Sequence, residues 1–226
     1  MEANPADAVT DTTTRLAEVR ARIADAARRA GRDPADVTLV GASKTVPAER
    51  LVDAIDAGLE DLGENRAQEL LAKDTALAAQ GYRPRWHFLG RLQRNKVAAL
   101  APHVALWHSL DRPQLAEAIA RRAPGARVLV EVNVGDEPQK GGCALGEVAS
   151  LVDGARELGL EVEGLMTVPP RNEDPRAAFA AVRELAGRLG LAQLSMGMTA
   201  DFDMAIEEGA TIVRVGRALF GARPAP

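Results

Sequence analysis

Three groups of residues in this chain have the types and spacing that chemistry needs. The first is a lysine at the end of an apolar run, Val37-Thr-Leu-Val-Gly-Ala-Ser-Lys44-Thr-Val-Pro47. Such a lysine has two uses. It can put its ammonium into water, as most lysines do. Or it can turn inward, where desolvation lowers its pKa and frees the amine as a Schiff-base nucleophile. The second group is Ser195-Met-Gly197-Met-Thr199-Ala-Asp201, which sets hydroxyls and a glycine just before a helical run. The third is Arg214-Val-Gly216-Arg217, a guanidinium followed by a glycine where backbone can approach an anion closely. Both glycines could also serve turns alone. Other candidates carry less. His87, His103 and His108 are the only histidines, and their spacing suits no metal motif. His87 and His108 fall at strand ends, within reach of a ligand, whereas His103 reads as surface. Lys140, in Glu137-Pro-Gln-Lys140-Gly-Gly142, is either a mobile ligand contact or plain solvated charge. Nothing forms a Cys/His/Asp nucleophilic constellation.

The elements that must hold these groups alternate. Strands are expected over Val37–Ser43, Asp61–Glu64, Trp86–Leu89, Leu106–Leu110, Arg127–Val134, Val162–Val168, Ala192–Met196 and Ile212–Val215. Helical runs lie between them: Ala48–Ala57, Ala67–Ala79, Asn95–Leu100, Arg112–Arg122, Leu145–Leu158, Pro175–Leu189 and Asp201–Glu208. A further helix precedes the first strand, with Leu16, Val19, Ile23, Ala26, Ala27 and Ala30 at helical spacing and a stop at Gly31. Eight strand–helix repeats predict a single (β/α)8 TIM barrel with an extra N-terminal helix. The alternative is an open doubly wound sheet. No G-x-G-x-x-G follows the first strand, which weakens its dinucleotide-binding form. Residues 1–10 are expected to be a mobile tail, residues 11–226 one domain, and the last residues, Arg223–Pro226, a short tail.

Composition narrows the class. A formal net charge of −4 over 226 residues gives no general attraction to nucleic acid or anionic membranes. Two Trp, one Tyr and four Phe are too few for a base-stacking platform. One cysteine, Cys143, permits no internal disulfide and points to a reducing compartment. The acidic N-terminus does not read as a signal peptide, so a cytoplasmic protein is expected.

A barrel would gather the chemistry at the C-terminal ends of its strands. Phosphate commonly sits on the loops after strands seven and eight, where the Ser195 and Gly216 groups fall. Closure makes the eighth strand a neighbour of the first, which brings Lys44 beside that anion site. A lysine next to a phosphate cradle suits pyridoxal 5′-phosphate (PLP), with the phosphate as anchor and the amine as Schiff-base partner. The runner-up is a Schiff-base aldolase acting on a sugar phosphate. Arg214 separates the two: placed at a pyridine nitrogen it would keep that nitrogen unprotonated and weaken PLP as an electron sink.

The motifs Gly41-Ala-Ser-Lys44-Thr, Gly63-Glu-Asn65, Trp86-His-Phe-Leu-Gly90-Arg-Leu-Gln-Arg-Asn-Lys96, Leu194-Ser-Met-Gly-Met198 and Val213-Arg-Val-Gly216-Arg-Ala-Leu-Phe-Gly221 resemble the pyridoxal phosphate homeostasis protein family, the YggS/PROSC group. The likeness runs in order from about residue 37 to 223. It implies an alanine-racemase-like barrel with PLP on Lys44. Ser195, Gly197 and the Gly216-Arg217 backbone would hold the phosphate, Arg214 would face the pyridine nitrogen, and Asn65 and His87 would line the pocket. Lys140 matches a family lysine linked to secondary PLP binding or transfer. The family often has Ser or Thr where this chain has Arg217, and Ser where it has Thr199.

The resemblance further implies a monomer that buffers and delivers PLP, takes other B6 vitamers, contacts apo PLP enzymes transiently and shows no robust catalysis. The alternative is a PLP-dependent racemase or other PLP enzyme of weak activity. A two-base racemase needs a second acid/base on the far face of the cofactor. The only tyrosine, Tyr82, lies before the third strand, at the wrong end of the barrel.

Overall fold

The structure, a computed structural model, describes residues 5–221 other than 136, 138, 171 and 172, with side chains from residue 11 onward. Its strands are β1 (Thr38–Ala42), β2 (Asp61–Glu64), β3 (Arg85–Phe88), β4 (Val104–Leu110), β5 (Arg127–Asn133), β6 (Cys143–Ala144), β7 (Glu161–Thr167), β8 (Gln193–Ser195) and β9 (Ile212–Val215). Its helices are α1 (Pro5–Arg29), α2 (Ala48–Asp56), α3 (Ala67–Ala79), α4 (Val97–Leu100), α5 (Pro113–Arg122), α6 (Val148–Glu157), α7 (Pro175–Arg188), α8 (Phe202–Glu207) and α9 (Arg217–Phe220).

All strand pairings are parallel. β1 lies between β2 and β9, and the β4–β5 pairing closes the ring, so eight strands form a barrel with helices outside. The expected (β/α)8 architecture is therefore the observed one. The two-residue β6 was not expected. It pairs only with the upper end of β5, Val132 against Cys143 and Asn133 against Ala144.

Alternation along the strands builds two cores. Outward residues meet the helices in one large cluster that includes Trp86, Phe88, Trp107, Phe179 and Phe202. Each such side chain fully buried contributes roughly 1.5–3 kcal/mol. Inward residues form a small second cluster of Val40, Leu106, Leu129, Met166 and Ile212. Five apolar side chains do not fill the barrel. The buried polar groups Asp61, His87, His108, Ser195 and Arg214 share the interior with them.

Helix α1 covers the seam where the last strand meets the first. Its buried stripe, Leu16, Val19, Ile23, Ala26 and Ala27, packs with α2, α8 and α9. Arg22 stacks over the Phe202 ring at 4.3 Å, and Arg32 donates to the Ile206 and Ala210 carbonyls at 2.9 and 2.8 Å. The helix starts at Pro5, so residues 5–10 of the stretch expected to be tail are helical. Proline suits a first helical turn, because its missing N–H would find no partner there anyway. Residues 1–4, and the expected C-terminal tail at 223–226, lie outside the described residues.

Candidate functional site

The site begins with strand period. Val40 lies inside the barrel and Ala42, two residues on, lines a cavity at the C-terminal mouth. Two residues further, Lys44 lines the same cavity, half-buried. Its Nζ has no hydrogen bond or ion pair to any described residue. Thr45 follows with φ 65°, the one non-glycine residue with positive φ among those described. A β-branched residue in that region is strained. Its N–H donates to Glu69 Oε2 at 3.2 Å and its hydroxyl to the Lys44 carbonyl at 2.6 Å, which holds the turn.

A second layer locks the same turn from outside the barrel. Glu64 points outward from β2 and is fully buried, where it pairs with Lys73 of α3. Ser43 donates to Glu64 Oε1 at 2.7 Å, and Lys73 donates to the Ser43 carbonyl at 2.7 Å. The Asn65 N–H donates to Glu64 Oε2 at 3.2 Å. One ion pair thus fixes the residues on either side of it, Ser43-Lys44 on one strand and Asn65 on the next.

The cavity has a volume of about 460 Å³, within the usual range for small-molecule and cofactor sites. Five residues expected from sequence line it: Lys44, Asn65, Arg214, Gly216 and Arg217. Arg214 is buried on β9, in register with Val40 of β1. Its Nη1 donates to the Ser195 carbonyl at 2.7 Å and to Ser195 Oγ at 2.6 Å, and its Nη2 donates to the Thr167 carbonyl at 2.9 Å. Burial lowers its pKa to about 10, against the opposing charges of Glu131 and Asp201, so the guanidinium stays cationic at neutral pH. Arg217 is exposed and has no ion-pair partner among the described residues. At the start of α9 the Arg217 and Ala218 amides have no intrahelical acceptor, as at any helix start.

The other expected residues are placed differently. Ser195 is fully buried and does not line the cavity: its Oγ meets Arg214 and, at 2.9 Å, His108 Nδ1. Thr199 is the hydroxyl of that loop that does line it, and its side chain has no partner among the described residues. Gly197 is also buried behind the wall. Its φ is 91°, and a Cβ there would meet Ala205 Cβ at 2.6 Å, so it serves the packing of the loop on α8. His87 lies inside the barrel, bonded to Asp61 at 3.0 Å and to His108 at 2.8 Å, with both ring nitrogens used. Lys140 lines a neighbouring cavity of about 980 Å³ that shares Asn65, Asp201 and Arg217 with the first. It pairs with Glu137 and donates to the Pro169 carbonyl at 3.0 Å.

Sequence reasoning gave no role to Glu64, Lys73, Asp61 or Asp201. Lys73 looks like any helical lysine. Only its four-residue spacing from Glu69, itself turned toward the strand ends, hinted at a buried role. Tyr82 donates to Asp56 at 3.0 Å on the outer surface, away from the mouth. No His, Cys or Tyr lines the first cavity.

Comparison with known proteins gives the family and the fold. The family model described as alanine racemase, N-terminal domain, matches residues 14–224. A pyridoxal phosphate homeostasis protein of Aquifex aeolicus is 48% identical over 223 residues, covering 92% of this chain and 97% of that protein. A crystal structure of an unknown protein from Bifidobacterium adolescentis superposes with a TM-score of 0.89 at 35% identity, covering 97% of this chain and 98% of that one. PipY of Synechococcus elongatus, solved with PLP bound, gives a TM-score of 0.81 at 32% identity, covering 93% of this chain and 100% of that one. The chain belongs to the pyridoxal phosphate homeostasis protein family, within the group that carries the alanine racemase N-terminal domain.

Proposed function

We infer that this chain binds PLP in the mouth cavity, as a Schiff base on Lys44, and serves in intracellular PLP buffering and delivery rather than catalysis. The carrying observation is Lys44: a half-buried lysine without a partner among the described residues, facing a cavity that three arginines, Arg50, Arg214 and Arg217, also line. The donor set fits the cofactor group by group. An anionic phosphate matches Arg217, the Thr199 hydroxyl and the first amides of α9. A pyridine nitrogen matches a remaining N–H of Arg214, three of whose five donors are already used on Ser195 and Thr167. An aldehyde matches the free Lys44 amine. PLP bound here supplies an electron sink for amino-acid chemistry. Arg214, a cationic donor that does not give up its proton at neutral pH, limits that sink.

The carrier reading is supported by what lines the wall. A two-base racemase needs, besides Lys44, a second acid/base on the far face of the cofactor. Among the described residues the cavity offers no His, Cys or Tyr for that work, and its one carboxylate, Asp201, accepts the Met198 N–H at 2.6 Å. The protein is expected to act as a cytoplasmic monomer and to hand PLP to apo enzymes. The same phosphate contacts admit other phosphorylated B6 vitamers, which lack the aldehyde and so bind without a covalent link.

Incubated with PLP, the protein should turn yellow, and borohydride should fix the cofactor to the chain. Lys44→Ala should lose both the absorbance and the covalent label. Covalent trapping that survives in Lys44→Ala sinks the assignment. PLP-loaded protein should reactivate an apo PLP enzyme without turning over amino acids itself. Stereospecific turnover at ordinary enzyme rates, about 1 per second or faster, reverses the carrier reading.

A further inference from the structure

A single file of polar groups crosses the barrel interior from its N-terminal end to Arg214. It starts at Arg85, whose side chain is largely exposed and grips Asp61 with two bonds, Nε to Oδ1 at 2.8 Å and Nη2 to Oδ2 at 2.7 Å. Asp61 Oδ1 meets His87 Nε2 at 3.0 Å, and His87 Nδ1 meets His108 Nε2 at 2.8 Å. His108 Nδ1 meets Ser195 Oγ at 2.9 Å, and Ser195 Oγ meets Arg214 Nη1 at 2.6 Å. Asp61, His87, His108, Ser195 and Arg214 are all buried.

Both ends of this file have a fixed polarity. A guanidinium can only donate, so Ser195 Oγ accepts from Arg214 and its own hydrogen is left for His108. A carboxylate can only accept, so His87 Nε2 carries a hydrogen toward Asp61. The imidazoles between them must then pass the same direction along. His108 accepts at Nδ1 and donates from Nε2, and His87 accepts at Nδ1 and donates from Nε2. An imidazolium at His87 would reverse the central bond. It would also need a net negative partner, and Asp61 is already matched by Arg85.

We propose that Asp61 is a remote positioning residue for Arg214, acting through a one-way hydrogen-bond chain that holds His87 and His108 as neutral Nε2–H tautomers. Each donor in such a chain strengthens the next acceptor. Ser195 Oγ is thereby made a better acceptor for Arg214 Nη1, and with the Ser195 and Thr167 carbonyls it fixes the plane of the guanidinium. The N–H groups that remain, on Nε and Nη2, are aimed by that plane. This rests on the reading of Arg214 as a cofactor contact only for its consequence, not for the chain itself.

The test separates the two. Long-range ¹⁵N–¹H spectra of histidine-labelled, ligand-free protein at neutral pH should show two imidazoles with protonated Nε2 and bare Nδ1, and His103, part-buried with Nδ1 on Asp74 Oδ2 at 2.7 Å, serves as the reference for a hydrogen on Nδ1. Ser195→Ala should leave His108 Nδ1 without its donor and move the His87 signals too, although residue 195 does not touch His87. Asp61→Asn should move the His108 signals in the same remote way. The variants should take up PLP about tenfold more weakly, with a shifted absorption band. An Nδ1–H tautomer or an imidazolium at either buried site in the unsubstituted protein overturns the proposal, and this reading does not require a variant to fold. Histidine signals that respond only at the residue next to each substitution overturn it as well. A protein that shows both Nε2–H tautomers but takes up no PLP would leave the chain standing and refute the cofactor site.

Discussion

Lys73 lies on the buried side of α3, and its ammonium is shared between Glu64 and the Ser43 carbonyl. Both charges are almost wholly removed from water, at 10% and 0% side-chain exposure, so neither is tolerable alone. Removing one partner of a buried pair costs about 3–5 kcal/mol, because the other charge is left unmatched. Lys73→Met should therefore lower the unfolding free energy by about that much, read from urea denaturation at pH 7. Replacing both members, as Glu64→Leu with Lys73→Met, should recover most of the loss. A double variant as weak as the single one would show that the loss is one of packing and not of charge. Neither variant removes a cavity-lining residue, yet Lys73→Met frees the Ser43 carbonyl, and the double variant also frees the Ser43 hydroxyl from Glu64. The Lys73→Met protein should accordingly form its PLP adduct more slowly, in a stopped-flow absorbance trace, than its remaining folded fraction accounts for.

At the scale of elements, close approach decides more than propensity. Gly90 lies two residues past β3, and a Cβ built on it would fall 2.2 Å from the Asn65 carbonyl oxygen and 2.8 Å from its carbon. Backbone cannot yield as a side-chain tip can. Gly90→Ala should displace the Asn65 segment at a cost of about 1–3 kcal/mol, and it should weaken PLP uptake together with the melting midpoint. Gly146→Ala, where a Cβ meets nothing within 4 Å, is the matched control and should leave uptake unchanged. These tight spots are invisible in sequence, whereas the elements around them are not. The β2, β9 and α3 boundaries read from sequence coincide with those observed, and the other barrel strands differ by a residue or two. Period and turn residues carry that information locally. What escaped was set by distant partners. The β6 pairing exists only because β5 offers its edge there, and α9 is too short to show a period. The site divides in the same way. Lys44, Asn65, Arg214, Gly216 and Arg217 were legible from the ends of strands. Ser195 and His87 lie at strand ends too, but their side chains turn toward the barrel axis, and sequence does not say how deep a residue sits. Glu64 was hidden because it faces the helices, on the side opposite the chemistry.

At the scale of the whole molecule, the polar interior sets how folding responds to acid. Burial, with the nearby charge of Arg214, holds His108 well below the usual histidine range. The unfolded chain therefore gains a proton near pH 6.5 that the native chain refuses, and stability falls as pH drops below that point. Glu131 moves the opposite way. Burial and the charge of Asp111 raise its pKa to about 7, against the pull of Arg214 and Arg91. Between its unfolded value of 4.5 and pH 7 the native chain holds a proton that the unfolded chain has lost, so stability rises as pH falls. Between pH 6.5 and 4.5 the two therefore oppose each other, and Glu131 offsets the fall that His108 alone would cause. Below that the compensation ends. Asp61 then joins His108: burial would raise its carboxyl, but the bonds from Arg85 and His87 outweigh burial and hold it at about 2. Its contribution, about 2 kcal/mol, is complete above its unfolded value of 3.8 and is lost as pH falls through 2. Denaturant titrations at half-unit steps of pH should thus show a steeper fall below about pH 4 than above it. Glu131→Gln exposes the hidden slope. With no proton gained at residue 131, the variant should lose stability as pH falls below 6.5, where the parent is held up by Glu131. A Glu131→Gln profile no steeper than the parent's would mean that His108 accepts a proton while folded, and the tautomer chain to Arg214 could not then persist through that range.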